Sequence, residues 1–260
     1  MKIAILCGGQ GTRFREVSEV LPKPMAPIGE RPILWHIMKI YSAHGCHEFV
    51  LLLGYKGERI REFFLNYAVH TNGATVTTGG QDSNCLVINQ PGSEPWRVTL
   101  VDTGEKAMTG ARLWRARRHL ESDSAFGLTY GDGVGNIDIT SLEKFHESHG
   151  KTATLTGVHP PGRFGELVVK DSHVIKFQEK PQTTQYINGG YFVFNPSVFD
   201  RYLNDREDLV LEREPLQRMA EAGELMMHAH EGFWHHMDTP HEFELLNNLW
   251  KSGKAPWKIW

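Results

Sequence analysis

The chain of 260 residues lacks three things that would have decided its class at once. Its 3 cysteines, Cys7, Cys46 and Cys85, are far apart with no C-x-x-C pair, which argues against a disulfide framework or a cysteine zinc site and predicts buried, inert thiols. Positive charge is not in surplus: 28 Lys and Arg stand against 31 Asp and Glu, for a net charge of −3, so the overall field selects neither nucleic acid nor an acidic membrane. Any phosphate must be held locally. No apolar run is long enough to span a bilayer, and in MKIAILCGG the run is too short and too glycine-terminated for a secretion signal. A cytoplasmic protein is expected.

What is present is alternation between strand-like and helix-like segments. KIAILC is a short apolar run, and RPILWHIMKIYSAHG carries Ile33, Leu34, Ile37, Met38 and Tyr41 at helical spacing, with Pro32 and Gly45 as punctuation. EFVLLLGY shows no polar alternation, as expected of a parallel strand buried on both faces, and KGERIREFFLNY predicts the next helix. AFGLTY, TSLEKFHESH and TATLTGV continue the order, GELVVKDSHVIKFQEK predicts a hairpin turning at Lys170 to Ser172, and YINGGYFVF returns to the sheet. The expected fold is α/β, a Rossmann-like, doubly wound, mostly parallel sheet in one domain over 1–260. Residues 71–107 read as a β excursion from that sheet, followed by a helix capped by Thr109. From about residue 196, Pro196, Pro215, Pro240 and Pro256 punctuate a C-terminal helical extension.

Just after the first strand, LCGGQGTRF packs Gly8, Gly9 and Gly11 into four positions, so the backbone is built to approach something closely. A dinucleotide fingerprint begun at Gly9 would need glycine at Phe14, and a P-loop would need G-K-[ST] where the chain reads G-T-R. Neither fits. A strand running into GGQGTR, with PKP following at Pro22 to Pro24, brings glycine N–H groups, the Thr12 hydroxyl, the Arg13 fork and the Lys23 ammonium into one local anion site. The plainer alternative is a tight glycine turn with solvated Arg and Lys.

G-G-x-G-T-R followed by PKP resembles the signature of the sugar nucleotidyltransferases, and the resemblance runs nearly end to end. It includes GYKG at Gly54 to Gly57, YGDG at Tyr130 to Gly133, FGEL at Phe164 to Leu167, FQEKP at Phe177 to Pro181, INGGYFV at Ile187 to Val193 and FWHHMDT at Phe233 to Thr239. Within that family, RPILWHIMK, EPWRVTLVDTG, MTGARL, PPGRFG and KAPWK are similar to members that take CTP and glucose 1-phosphate. Cys7, where alanine is common, and Gln10, where an apolar residue is frequent, depart from the pattern.

The resemblance implies attack of a sugar phosphate oxygen on the α-phosphorus of a nucleoside triphosphate, with pyrophosphate leaving. That oxygen is ionised at neutral pH, its second pKa being about 6, so no general base is needed. The work is charge neutralisation and in-line positioning. It implies Mg²⁺ on Asp132 and Asp238; Arg13 and Lys23 on the triphosphate; and Lys180 on the phosphate of the sugar 1-phosphate, with Glu179 accepting sugar hydroxyls. Asn188, Gly189 and Gly190 would lie against the sugar beside Gly131, with Tyr130 and Trp234 as sugar-facing aromatics. The base would be read by main-chain groups near Leu6, Gly8, Gly9 and Gln10 and by Thr103 in the excursion, with Gly11, Thr12 and Arg112 on the nucleotide. A homo-oligomer is expected. UTP, dTTP or another hexose phosphate, or a silent nucleotide-sensing domain, are the competing readings.

Taken alone, Asp132 is also a turn aspartate, Asp238 an N-cap before Pro240, and Glu179 with Lys180 a solvated pair. The histidines His228, His230, His235 and His236 raise a zinc site, which the family pattern does not support.

Overall fold

The structure is a computed structural model that describes residues 1–9, 21–67, 69, 74–77, 85–88, 94–160, 166–178 and 185–260. Its frame is a seven-stranded sheet. Strand β1 (Lys2–Cys7) pairs in parallel with β4 (Glu48–Leu53), which pairs in parallel with β7 (Arg97–Asp102) at one edge. On its other side β1 pairs in parallel with β8 (Phe126–Tyr130). Strand β13 (Ile187–Phe194) then runs antiparallel between β8 and β10 (Ala153–Val158), and β14 (Leu225–His230) closes the far edge parallel to β10. From β1 the chain steps outward to β4 and β7, then crosses back to β8, which makes the β1/β8 boundary the switch point of the sheet. A crevice outside the carboxyl ends of strands is expected there.

The continuous apolar strands follow from burial on both faces. Ile3, Ile5 and Cys7 enter one core layer and Ala4 and Leu6 the other. Helix α1 (Ile33–Ala43) starts after Pro32 and covers the first layer with Ile33, Leu34, Ile37, Met38 and Tyr41, each worth on the order of 1.5–3 kcal/mol of burial. It ends before Gly45, whose φ of 80° glycine adopts without strain. Helices α2 (Gly57–Leu65), α3 (Thr109–Arg115) and α4 (Ile139–His149) also fall where the spacing placed them. Helix α3 does not use Thr109 as its cap. The cap is Met108, and the Thr109 hydroxyl donates to Glu212 Oε2 at 2.7 Å and accepts from Leu211 N at 2.9 Å.

Two boundaries differ from expectation. Among the described residues of 71–107, β5 (Ala74–Thr77) and β6 (Cys85–Ile88) form a separate hairpin, whereas Arg97–Asp102 is the edge strand of the main sheet. RVTLVD is one of the short β-like runs of this region, and its mostly half-covered residues are those of a sheet edge. The C-terminal region does contain α5 (Ser197–Arg201), α6 (Glu214–Glu221) and α7 (Pro240–Lys251), with Pro196, Pro215 and Pro240 at their starts. It also contributes β14 to the sheet and β15 (Trp234–His236), which pairs with β9 (Gly133–Gly135). The hairpin of β11 (Glu166–Lys170) and β12 (His173–Gln178) turns through Asp171 and Ser172, both at positive φ. Among the described residues no helix is long and apolar enough to cross a membrane.

Candidate active site

The β9/β15 ladder determines the site. It aligns Gly133 with His236, and the Met237 N–H donates to the Asp132 carbonyl at 2.9 Å, so two carboxylates 106 positions apart in sequence arrive together. Lys23 joins them through PKP. Pro22 starts a short 3-10 turn (Lys23–Met25), and buried Pro24 lies against Gly131, where a β-carbon would come within 2.8 Å of Pro24 Cγ and 2.9 Å of the Leu6 carbonyl. A side chain at position 131 would push the lysine turn away. Lys23 Nζ donates to Asp132 Oδ2 at 2.5 Å and to Asp238 Oδ1. Burial depresses the Lys23 ammonium, but the two carboxylates outweigh it and hold its pKa above the ordinary lysine value. The N-cap of α7 is Thr239, in a capping box with Glu242, so Asp238 does not serve as the cap.

The pair of carboxylates fits the magnesium ion that the family resemblance implies. Hard oxygens from two distant segments already converge on one cation, the Lys23 ammonium, and both stay partly exposed for water or phosphate oxygens.

Beside them opens a cleft of about 570 Å³, lined by Tyr130, Asn188, Gly189, Glu212, Trp234 and Asp238 among others. Its polar groups form a chain. Asn188 Nδ2 donates to the Tyr130 hydroxyl at 3.2 Å, which donates to Glu212 Oε1 at 2.6 Å. Asn188 Oδ1 is fixed by Gly190 N at 2.8 Å, and Trp234 Nε1 donates to the Gly189 carbonyl at 2.7 Å. Gly190 sits at φ 79°, and a β-carbon there would reach 2.4 Å from the Tyr130 ring. Burial first, and Glu212 second, push the Tyr130 phenol well above its ordinary pKa, so it stays a donor. A smaller hollow of about 180 Å³, lined by Leu6, Gly9, Lys23, Pro24 and Gly131, adjoins this cleft through shared Thr109, Tyr130 and Asp132 at the β1/β8 switch point.

The sequence-derived sites therefore divide. Lys23, Asp132, Asp238, Tyr130, Gly131, Asn188, Gly189 and Trp234 are brought together, with Leu6 and Gly9 alongside. Gln10, Gly11, Thr12, Arg13, Glu179 and Lys180 lie outside the described residues. Arg112 and Thr103 meet in a buried knot. The buried Arg112 guanidinium donates to the carbonyls of Gly8, Leu53, Gly104 and Glu105 and to Thr103 Oγ1, at 2.7 to 3.0 Å. Thr103 in turn gives its hydroxyl to Leu53 O at 2.6 Å. Arg112 ties together the loops after β1, β4 and β7, and Thr103 is a buried partner in that knot. The Gly8 carbonyl is occupied by Arg112 and Tyr55 N, and the Leu6 carbonyl by Gly131 N.

Glu212 was missed. It lies in VLERE between two helices, and no local pattern marks it as facing a cleft. The histidines also sort differently: His228 and His230 lie on β14, bonded to Ser141 and the Phe233 carbonyl, while His235 and His236 cluster with Glu242. Cys7 and Cys46 are free and buried, and burial pushes the Cys7 thiol up.

Comparison with known proteins accounts for this layout. The nucleotidyl transferase family matches residues 2–243. The chain is 50% identical over 261 residues to the glucose-1-phosphate cytidylyltransferase of Salmonella typhimurium, covering 100% of both. It is 44% identical over 260 residues to the probable glucose-1-phosphate cytidylyltransferase of Bacillus subtilis, again covering 100% of each. Among solved structures, HddC from Yersinia pseudotuberculosis superposes with a TM-score of 0.69 at 22% identity, over 96% of this chain and 99% of that one, a likeness of fold. A mostly parallel sheet with its switch point at a Gly-rich strand end, two carboxylates zipped together by β9 and β15, and full-length identity at this level lead to one assignment: the chain belongs to the nucleotidyl transferase family and, within it, to the glucose-1-phosphate cytidylyltransferases.

Proposed function

We propose that the site transfers a cytidylyl group from CTP to glucose 1-phosphate, giving CDP-glucose and pyrophosphate. The observation that carries the reading is the convergence of Lys23, Asp132 and Asp238 at the mouth of a sugar-sized cleft, in a chain that matches enzymes of that name over its whole length.

A phosphate oxygen of the sugar 1-phosphate attacks the α-phosphorus in line, one P–O bond forms as the bond to the pyrophosphate oxygen breaks, and no covalent enzyme intermediate is made. The sugar lies in the larger cleft, where Asn188 and the Gly189 backbone face its hydroxyls and Tyr130 and Trp234 wall it in. The nucleotide lies over the smaller hollow beside Gly9, with its phosphates toward Lys23. Lys23 offers a charge that neutralises the α-phosphate as negative charge grows there. Asp132 and Asp238 are the residues that would hold Mg²⁺, which when bound supplies positive charge to phosphate oxygens. Arg13, Thr12, Gly11 and Gln10 complete the phosphate side in this reading, and Glu179 and Lys180 the sugar phosphate side.

The reading extends to one nucleotidyltransferase domain over 1–260, working in the cytoplasm where CTP is available, and to a homo-oligomer. What supports assembly is the β11/β12 hairpin, which exposes Leu167, Val168, Val169, Val174, Ile175 and Phe177 at 48% to 62% of their surface. The reaction is tested by pyrophosphate release with Mg²⁺ from CTP, UTP, dTTP and ATP, each against glucose 1-phosphate and other hexose 1-phosphates. Release confined to CTP and glucose 1-phosphate is expected. Release with another pair would reassign the specificity, and none at all in folded protein would overturn the reading.

A further inference from the structure

Next to the carboxylate pair, but chemically unlike it, stands a second group of metal-ligating side chains. One ring nitrogen each from His235 and His236 and a carboxylate oxygen of Glu242 lie within 4.8 Å of one another. We propose that these three residues form a site for a divalent transition-metal ion of the zinc class, adjoining the Asp132/Asp238 site, since His236 Nε2 also lies 3.5 Å from Asp238 Oδ2.

Three features of the geometry support the assignment. His235 Nδ1 lies 2.8 Å from the His236 carbonyl, and since only a protonated nitrogen can bond a carbonyl, the lone pair of that ring is on Nε2. A main-chain carbonyl that fixes the tautomer is the usual outer partner of a metal-binding imidazole. Glu242 is also held for the task. Its Oε2 accepts from Asp238 N at 2.7 Å and Thr239 N at 2.9 Å, while Oε1 lies 3.1 Å from His236 Nε2. A capping box consumes one oxygen of its glutamate and leaves the other directed at a histidine. Finally, His235 is buried, and Phe233 and Trp234 lie beside the two imidazoles, so the group is partly screened from water.

The donor set decides the ion. Two imidazoles and one carboxylate suit zinc, cobalt or nickel, whereas magnesium prefers oxygen alone. Three protein ligands leave a fourth tetrahedral position to water. Zinc bonds of about 2.0–2.2 Å draw ligand atoms closer together than this structure holds them, so small side-chain rotations close the site. His235 and His236 are consecutive on a strand, where alternate side chains normally diverge, yet both come within reach of Glu242 at the end of the three-residue β15.

The test is metal content by equilibrium dialysis of the full chain against Zn²⁺ in saturating Mg²⁺, with Co²⁺ as an optical probe of nitrogen coordination. Wild type is expected to hold one more zinc per chain than His235→Asn or His236→Asn, and to show a visible Co²⁺ band that both variants lose. Asp132→Asn should retain the zinc and the band. Glu242→Gln, which keeps the helix cap, guards against a folding defect and should weaken zinc at least about tenfold. Equal zinc in wild type and the two histidine variants would overturn the proposal, as would loss of the zinc in Asp132→Asn. Neither outcome depends on which nucleotide the enzyme uses.

Discussion

Arg112 fills the volume that a side chain on Gly8 would need: a β-carbon there would lie 2.2 Å from Nη1, and one on Gly54 would lie 2.2 Å from the same atom. The first glycine of the Gly-rich loop and the glycine that opens GYKG thus make room for one guanidinium, which holds the carbonyls at the ends of three adjacent strands. Arg112→Lys replaces a planar fork with a point charge and leaves several buried carbonyls unsatisfied, at an expected cost of about 1–3 kcal/mol. Gly8→Ala should weaken stability in the same direction by displacing the fork. Urea unfolding followed by circular dichroism measures both. A loss of CTP affinity in Arg112→Lys with no loss of stability would instead make Arg112 a direct nucleotide contact.

Lys23 bridges the two carboxylates that are proposed to hold Mg²⁺, so the ammonium and the ion share the same oxygens. Lys23→Met should lower turnover about 100-fold or more, equivalent to about 2.7 kcal/mol at the transition state. The same substitution should tighten Mg²⁺ binding, because the internal cation no longer competes. Thermal unfolding across a Mg²⁺ titration reads this directly, with the shift growing in Lys23→Met and vanishing in Asp132→Asn. An unchanged Mg²⁺ response in Lys23→Met would mean that the lysine and the ion do not meet.

Glu212 orients Tyr130, and Tyr130 in turn supports Asn188. Glu212→Gln keeps the volume but weakens the bonds from Tyr130 and Thr109, so KM for glucose 1-phosphate should rise about tenfold while KM for CTP changes little. Tyr130→Phe should act in the same direction, and the double variant should be less than additive. Steady-state kinetics with each substrate varied separately checks the split.

Acid should loosen the protein through His36. Burial pushes this imidazole down to about 4 from an ordinary 6.5, although its Nε2, 3.0 Å from the Ile28 carbonyl, works the other way. Between those values the unfolded chain carries a proton that the folded chain refuses. Stability is therefore complete above pH 6.5 and declines as pH falls toward 4, by about 3 kcal/mol over the whole window. His36→Phe should flatten the slope of melting temperature against pH from 6.5 downward. A slope equal to wild type would assign the acid sensitivity to other histidines such as the buried His146 and the half-buried His230, which burial also depresses.

The fold was legible wherever periodicity and punctuation agreed. EFVLLLGY and RPILWHIMKIYSAHG became a central strand and its covering helix because burial on two faces and on one face leave different patterns. RVTLVD reads like the other short β-like runs of 71–107, and nothing in its own six residues says which sheet it joins. In the site, Asp132 and Asp238 were legible through short motifs, but the pairing of those motifs as a three-residue ladder is tertiary and is not written in either one. Glu212 and Glu242 were missed for a related reason. Each acts through an oxygen whose direction is set by a tertiary partner, Tyr130 for one and His236 for the other, and no spacing in the chain encodes those partners.

The reversed strand β13 divides labour along the rim of the sheet. Its neighbours β8 and β10 reach the rim at their ends, whereas β13 begins there, delivering Asn188, Gly189 and Gly190 before it descends into the core as Tyr191 to Phe194. The residues proposed to face the hexose from β13 thus come from a strand that runs opposite to β1 and β8, the strands leading to Leu6 and Tyr130. Substitutions at the second to fourth residues of this one strand are therefore the place to alter the proposed sugar preference, with Tyr130, which Asn188 and Gly190 touch, as the link to the phosphate side.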